Sequence, residues 1–104
     1  MKTTSEFRDG ALRLALSGEL DHHSARAVIA ELSELIETRL PSRLTIDMRG
    51  VTFMDSSGIA VILGAYKRVN AFGGRLEVRN ISAHAGKILS AAGVDRIVDL
   101  GSGA

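Results

Sequence analysis

The sequence predicts an α/β fold in which a mostly parallel sheet carries its helices mainly on one face. Three observations lead there. Short segments of alternating apolar and polar residues are separated by longer ones whose apolar residues recur at helical spacing. In each alternating segment only one face is apolar, whereas a sheet covered on both sides has strands that are apolar almost throughout. The order β-β-α-β-α-β-α-β opens with a hairpin and then sets helices between strands, which calls for right-handed crossovers and parallel pairing.

Residues 4–8, Asp9-Gly10 and the stretch ALRLALSG predict the hairpin, because Asp-Gly supplies the positive φ angles of a two-residue type I′ turn. In the second arm Leu12, Leu14 and Leu16 alternate with Ala11, Arg13 and Ala15, so one face is leucine-rich. Gly18-Glu19-Leu20 is read as the end of that strand. Asp21 then stands where a helix needs an acceptor for its first free N–H groups. The stripe Ala25, Val28, Ile29, Leu32, Leu35 and Ile36 marks an amphipathic helix, which ends near Leu40 because Pro41 lacks a donor and disfavours helical geometry before it.

Residues 43–48, RLTIDM, predict a strand with Leu44, Ile46 and Met48 inward. A further apolar run from Val51 ends on Asp55, Ser56 and Ser57. Gly58 leads into a helix whose Ile59, Ile62, Leu63, Tyr66 and Val69 follow the spacing of one buried face, running to about Ala71 before Phe72-Gly73-Gly74 stops it. Residues 75–79, RLEVR, repeat the one-sided strand pattern. Ser82 is the expected N-cap of a short helix carrying Ile88, Leu89 and Ala92, closed by Gly93 and followed by a last strand over residues 96–100.

The 104 residues are expected to form one domain, large enough for a real core. With no cysteine, disulfides, thiolate metal sites and cysteine nucleophiles are excluded, and a reducing cytoplasm is the expected setting. No apolar run approaches the roughly 20 residues of a membrane span, and the N-terminus has no apolar signal core, so neither membrane nor secretion is expected. A net charge of +1 and a pI near 8.2 fall short of the clustered basic profile of a nucleic-acid binder.

The chemically distinctive stretch is Asp55-Ser56-Ser57-Gly58 at a helix start. It does not fit a nucleophile elbow, which needs glycine two residues either side of the serine; Met54 takes the first of those places for Ser56. The candidate bases His22, His23 and His84 have no spacing that predicts contact with it. His22 and His23 are neighbours at a helix start, so their side chains are expected to diverge rather than share a metal. No glycine-rich phosphate cradle occurs. No catalytic residue, metal or cofactor is therefore assigned.

A serine at a helix start is also an ordinary N-cap. Capping needs one side chain, however, and three candidates stand in a row. The flank Ala60, Val61, Gly64, Ala65 and Ala71 is not polar as a plain surface helix would be, and an interior glycine costs about 1 kcal/mol relative to alanine. Gly64 thus implies close packing against another helix of the domain or against a partner.

Two blocks, VTFMDSSGIAVILGAYKR over residues 51–68 and GELDHHSA over residues 18–25, resemble the anti-sigma factor antagonists of the STAS domain family, most closely the sporulation type. The resemblance thins out but extends from about Gly10 to Leu100. It implies a STAS-type fold and a reversible switch. The unmodified antagonist binds an anti-sigma factor that is also a serine kinase, and so frees a sigma factor. That kinase phosphorylates the first serine of DSSG, here Ser56, which ends binding, and a PP2C-type serine phosphatase restores it. The antagonist would be substrate and ligand, not enzyme. Asp21, Asp55, Ser56, Ser57, Gly58, Val61 and Gly64 are the expected partner surface. Related domains serve sulfate transporters, stress-signalling complexes and lipid-transport systems. Family members continue past the last strand into a further helix, whereas this chain reaches Gly101-Ser102-Gly103-Ala104, so that helix is expected to be short or absent.

Overall fold

Strand β1 (Lys2–Arg8) runs antiparallel to β2 (Ala11–Leu20), with Arg8 paired to Ala11 across a turn in which Asp9 and Gly10 have φ of 52° and 80°. The Asp-Gly hairpin thus forms as predicted in this computed structural model, which describes residues 1–101. Ser102, Gly103 and Ala104, on which the expectation of a short or absent terminal helix bears, lie outside the described residues.

Strand β2 ends at Leu20, within the Gly18-Glu19-Leu20 segment expected to close it, and passes irregularities near Ser17 and Gly18. Helix α1 (His22–Arg39) follows, then β3 (Arg43–Met54), α2 (Ser57–Asn70), β4 (Arg75–Arg79) and α3 (Ala83–Ala91). The sheet order is β1-β2-β3-β4, with β2, β3 and β4 mutually parallel. Strand β3 is one element of 12 residues that joins the expected segment 43–48 to the apolar run before Asp55.

The predicted last strand over residues 96–100 is not there. After Gly93, at φ 80°, the chain makes a 3-10 turn over Val94–Arg96 and touches the sheet through a single parallel bridge from Asp99 to Glu77. Its buried residues, Val94 and Val98, are four apart. That is the spacing of a helical turn and not the alternation of a strand.

One face of the sheet holds Leu12, Leu14, Leu16, Leu44, Ile46, Met48, Leu76 and Val78, all buried in one core with Val28, Leu32 and Ile36 of α1, Ile62 and Val69 of α2, and Leu89 of α3. The helices therefore share a face, as expected. The other face is polar: Arg13 pairs with Asp47, Arg79 with Glu77 and Asp99, and Asn80 donates to Asp47 at 2.8 Å. Burial pushes the Asp47 carboxyl up, but the donors from Asn80, the Arg49 N–H and Arg13 outweigh it and hold the group below its usual range.

This asymmetry sets expected stabilities. Leu14→Ala, on the buried face, should lower the unfolding free energy by about 2–5 kcal/mol in urea titration. Arg13→Ala, next to it on the ionic face, should cost less than about 1 kcal/mol, since exposed pairs are worth little.

Candidate functional site

Because β2, β3 and β4 run the same way, their carboxyl ends lie at one edge, and α1, α2 and α3 all begin there. Open α/β sheets bind ligands at this edge. A hydrogen bond from the Asp55 N–H to the Leu20 carbonyl, at 3.2 Å, ties the start of α2 beside the start of α1.

Each helix start satisfies its free N–H groups differently. Asp21 caps α1, its Oδ1 accepting from the His23 and Ser24 N–H groups at 3.0 Å each. Ser24 Oγ accepts from the Asp21 N–H at 3.1 Å, completing a capping box. The Ser24 backbone hydrogen bond is the main reason the Asp21 carboxyl lies below its ordinary range; desolvation opposes it and the His23 N–H adds to it. At α3, Ser82 Oγ accepts from the Ala85 N–H at 3.1 Å.

At α2 neither serine is the side-chain cap. Asp55 Oδ1 accepts from the Ser57 N–H at 2.8 Å, and the Asp55 carbonyl accepts from the Gly58 N–H at 3.1 Å. Ser56, the residue before the helix, has helical dihedrals and makes no side-chain cap bond. Its side chain is exposed, and among the described residues its hydroxyl has no hydrogen-bond partner. Ser57 is half-buried. Among the described residues none of the three histidines hydrogen-bonds to either serine.

The STAS domain profile matches residues 2–102. The chain belongs to the STAS domain family. It is 36% identical over 95 residues to an anti-sigma F factor antagonist of Paenibacillus polymyxa, covering 91% of this chain and 81% of that protein. It is 30% identical over 89 residues to an anti-sigma-B factor antagonist of Bacillus subtilis, covering 86% and 80%. The solved structure of the Bacillus cell fate determinant SpoIIAA in its phosphorylated form matches with a TM-score of 0.76 at 25% identity, covering 98% of this chain and 93% of that one.

In this STAS domain the expected surface gathers Asp21, Asp55, Ser56 and Ser57 at one edge, but Val61 and Gly58 are not on it. Val61 is 0% exposed and Ala65 2%, so the side of α2 read as an open flank is core. Helix α2 packs against α1 as well as the sheet, with Arg68 Nε donating to Ser33 Oγ at 2.7 Å, and its buried arc is wider than one stripe of large residues suggests. Gly58 is buried, and an added Cβ there would collide with the Met54 side chain, itself 1% exposed. Gly64 is half-buried, and a Cβ there would meet only Arg68 Nη1, at 3.4 Å. The close packing expected at Gly64 is absent within the described chain.

One neighbour of the site, Phe53, was not singled out by the sequence. Phe53 is 45% exposed and faces His84 of α3, with ring centroids 6.4 Å apart. The run VTFM gives no clean alternation from which that exposure could be read. His22 and His23 do not diverge as expected; their ring centroids lie 4.0 Å apart with the planes tilted by 37°. Among the described residues no three His, Asp or Glu side chains converge as a metal site, and no helix is long and apolar enough to cross a membrane.

Gly64→Ala should raise the unfolding free energy by about 0.5–1 kcal/mol, since it adds helix propensity and meets only a flexible guanidinium. The Asp21 carboxyl contributes stability because its folded pKa is depressed. That contribution is full above the ordinary value of 3.8 and is lost as pH falls through the folded value below it. The melting difference between wild type and Asp21→Asn should therefore be constant near neutrality and shrink in acid, as thermal melts across pH would record.

Proposed function

We propose that the chain acts as a single STAS domain, an anti-sigma factor antagonist switched by phosphorylation of Ser56. The observation that carries this reading is the free hydroxyl of Ser56, exposed at a helix start whose capping Asp55 already provides. The names of both relatives, one for factor F and one for factor B, support the class of partner.

In this reading the unmodified domain binds an anti-sigma factor serine kinase through Asp21, Asp55, Ser56, Ser57 and the rim near Gly64. It is substrate and ligand, not enzyme, and works in the cytoplasm. A PP2C-type serine phosphatase reverses the modification. A phosphoserine brings roughly −1.5 to −2 charges to a helix N-terminus, where an anion is stabilised, so the fold tolerates it. The docking face, already carrying Asp21 and Asp55, changes instead. Two unit charges about 4 Å apart at an effective dielectric near 20 interact by about 4 kcal/mol, so one acidic group of the partner facing the phosphate would weaken binding several hundredfold.

Incubation with the host's anti-sigma factor kinase and ATP, followed by mass spectrometry, should place one phosphate on Ser56 and none on the Ser56→Ala protein. Ser56→Asp should bind that kinase at least about 100-fold more weakly while melting no lower than wild type, given that an acidic group suits this helix position. A phosphate mapped elsewhere, or wild-type affinity in Ser56→Asp, would sink the assignment.

A further inference from the structure

We infer that Phe53, with His84 against its ring, is an apolar anchor that seats in a recess beside the catalytic cleft of the serine kinase that modifies this domain. The inference rests on the Ser56 reading and adds to it the contact that holds the two proteins together.

Phe53 lies one residue before the end of β3, and its neighbour Met54 is 1% exposed in the core. Phe53 itself is 45% exposed. Its aromatic neighbour is His84, exposed in the first turn of α3, with the ring planes tilted by 30°. The other two exposed phenylalanines are at the opposite edge of the sheet. Phe7 pairs with Leu12 at the start of β2 and lies under the Arg39 guanidinium, 5.4 Å from its ring centroid, and Phe72 follows the end of α2. Phe53 is thus an exposed aromatic ring with a second, polar ring beside it, and aromatic side chains are enriched at protein interfaces.

Geometry commits the anchor to the kinase. Phe53 and Ser56 are three residues apart, so their Cα atoms are no more than about 11 Å apart even on a fully extended chain. A protein partner of ordinary size covers about 800 Å² on each side, a patch roughly 16 Å in radius. A footprint of that size centred on Ser56 reaches Phe53. The ring makes the same contact before and after phosphoryl transfer, so it acts on affinity and not on the chemical step.

Phe53→Ala should weaken binding of the host's anti-sigma factor kinase about 30-fold, the usual size of a hot-spot loss. KM for phosphorylation of Ser56 should rise in proportion with kcat little changed, the mark of lost uniform binding. Phe53→Tyr, which keeps the ring, should stay within about threefold of wild type, and Phe72→Ala should leave binding unchanged. If Phe53→Ala fails to fold in circular dichroism, Phe53→Thr, a good strand former, carries the same test. Wild-type affinity in a folded Phe53 variant, beside a Ser56→Asp protein that does not bind, overturns the anchor and leaves the Ser56 switch standing. A wild-type protein that the kinase neither binds nor modifies overturns both.

Discussion

The apolar side chains of β2, β3 and β4 fall in shared rows on one side of the sheet. Leu12, Leu44 and Leu76 form one row, and Leu14, Ile46 and Val78 the next. A slip of one residue in any strand would send its whole set to the face where Arg13, Asp47, Glu77 and Arg79 form their ion pairs. The register is thus held by two opposing demands, apolar burial below and charge solvation above. With only one face to cover, the crossovers return on the same side, and right-handed connection of parallel strands then starts each helix at the same edge. The position of the candidate site is a consequence of where the leucines are.

At that edge the supply of acceptors decides which side chains are free. Asp21 and Ser82 each provide the side-chain cap of the helix they precede, α1 and α3. At α2 the acceptor comes from Asp55, one residue before the serines. Asp55 thereby fixes the turn through its bond to the Ser57 N–H and leaves the Ser56 side chain without a capping bond. A serine that holds the helix could not be modified without some cost to the fold; one relieved of that duty can be. Gly58 completes the arrangement by letting the first turn of α2 lie directly on Met54, which anchors the loop to the core while its outer side stays open.

Features set by neighbouring residues were legible in the sequence. Asp9-Gly10 dictates its turn, the one-sided strands dictate a one-sided sheet, and Asp21 and Ser82 cap the helices they precede. What depends on packing between distant elements was not. Val61 and Ala65 are small, so they look like an open flank until α1 is known to lie beside them. Residues 96–100 are apolar enough for a strand, but Val94 and Val98 reach the core from a helical turn. The exposure of Phe53 depends on where α3 begins, across the sheet and some thirty residues on, which no local pattern encodes. Ser56 itself stood out through resemblance, since local rules alone would have made it a cap.

An exposed ring and a free hydroxyl so close together divide the work of a reversible contact between two kinds of force. Burial of an aromatic surface is insensitive to charge and provides affinity in either state. In the proposed switch it is the charge on Ser56 that changes, and near a surface such a charge acts strongly at a few ångströms and is screened beyond about 10 Å at physiological salt. A contact made only of charges would be lost to salt as readily as to phosphate, and one made only of apolar surface could not be switched by a phosphate at all. With Phe53 and Ser56 three residues apart, both terms act inside one footprint, and the phosphate needs to reverse only the balance between them. The Asp55 hydrogen bond to the Ser57 N–H and the close approach of Gly58 to Met54 hold this turn in place, so the proposed switch needs no movement of the fold.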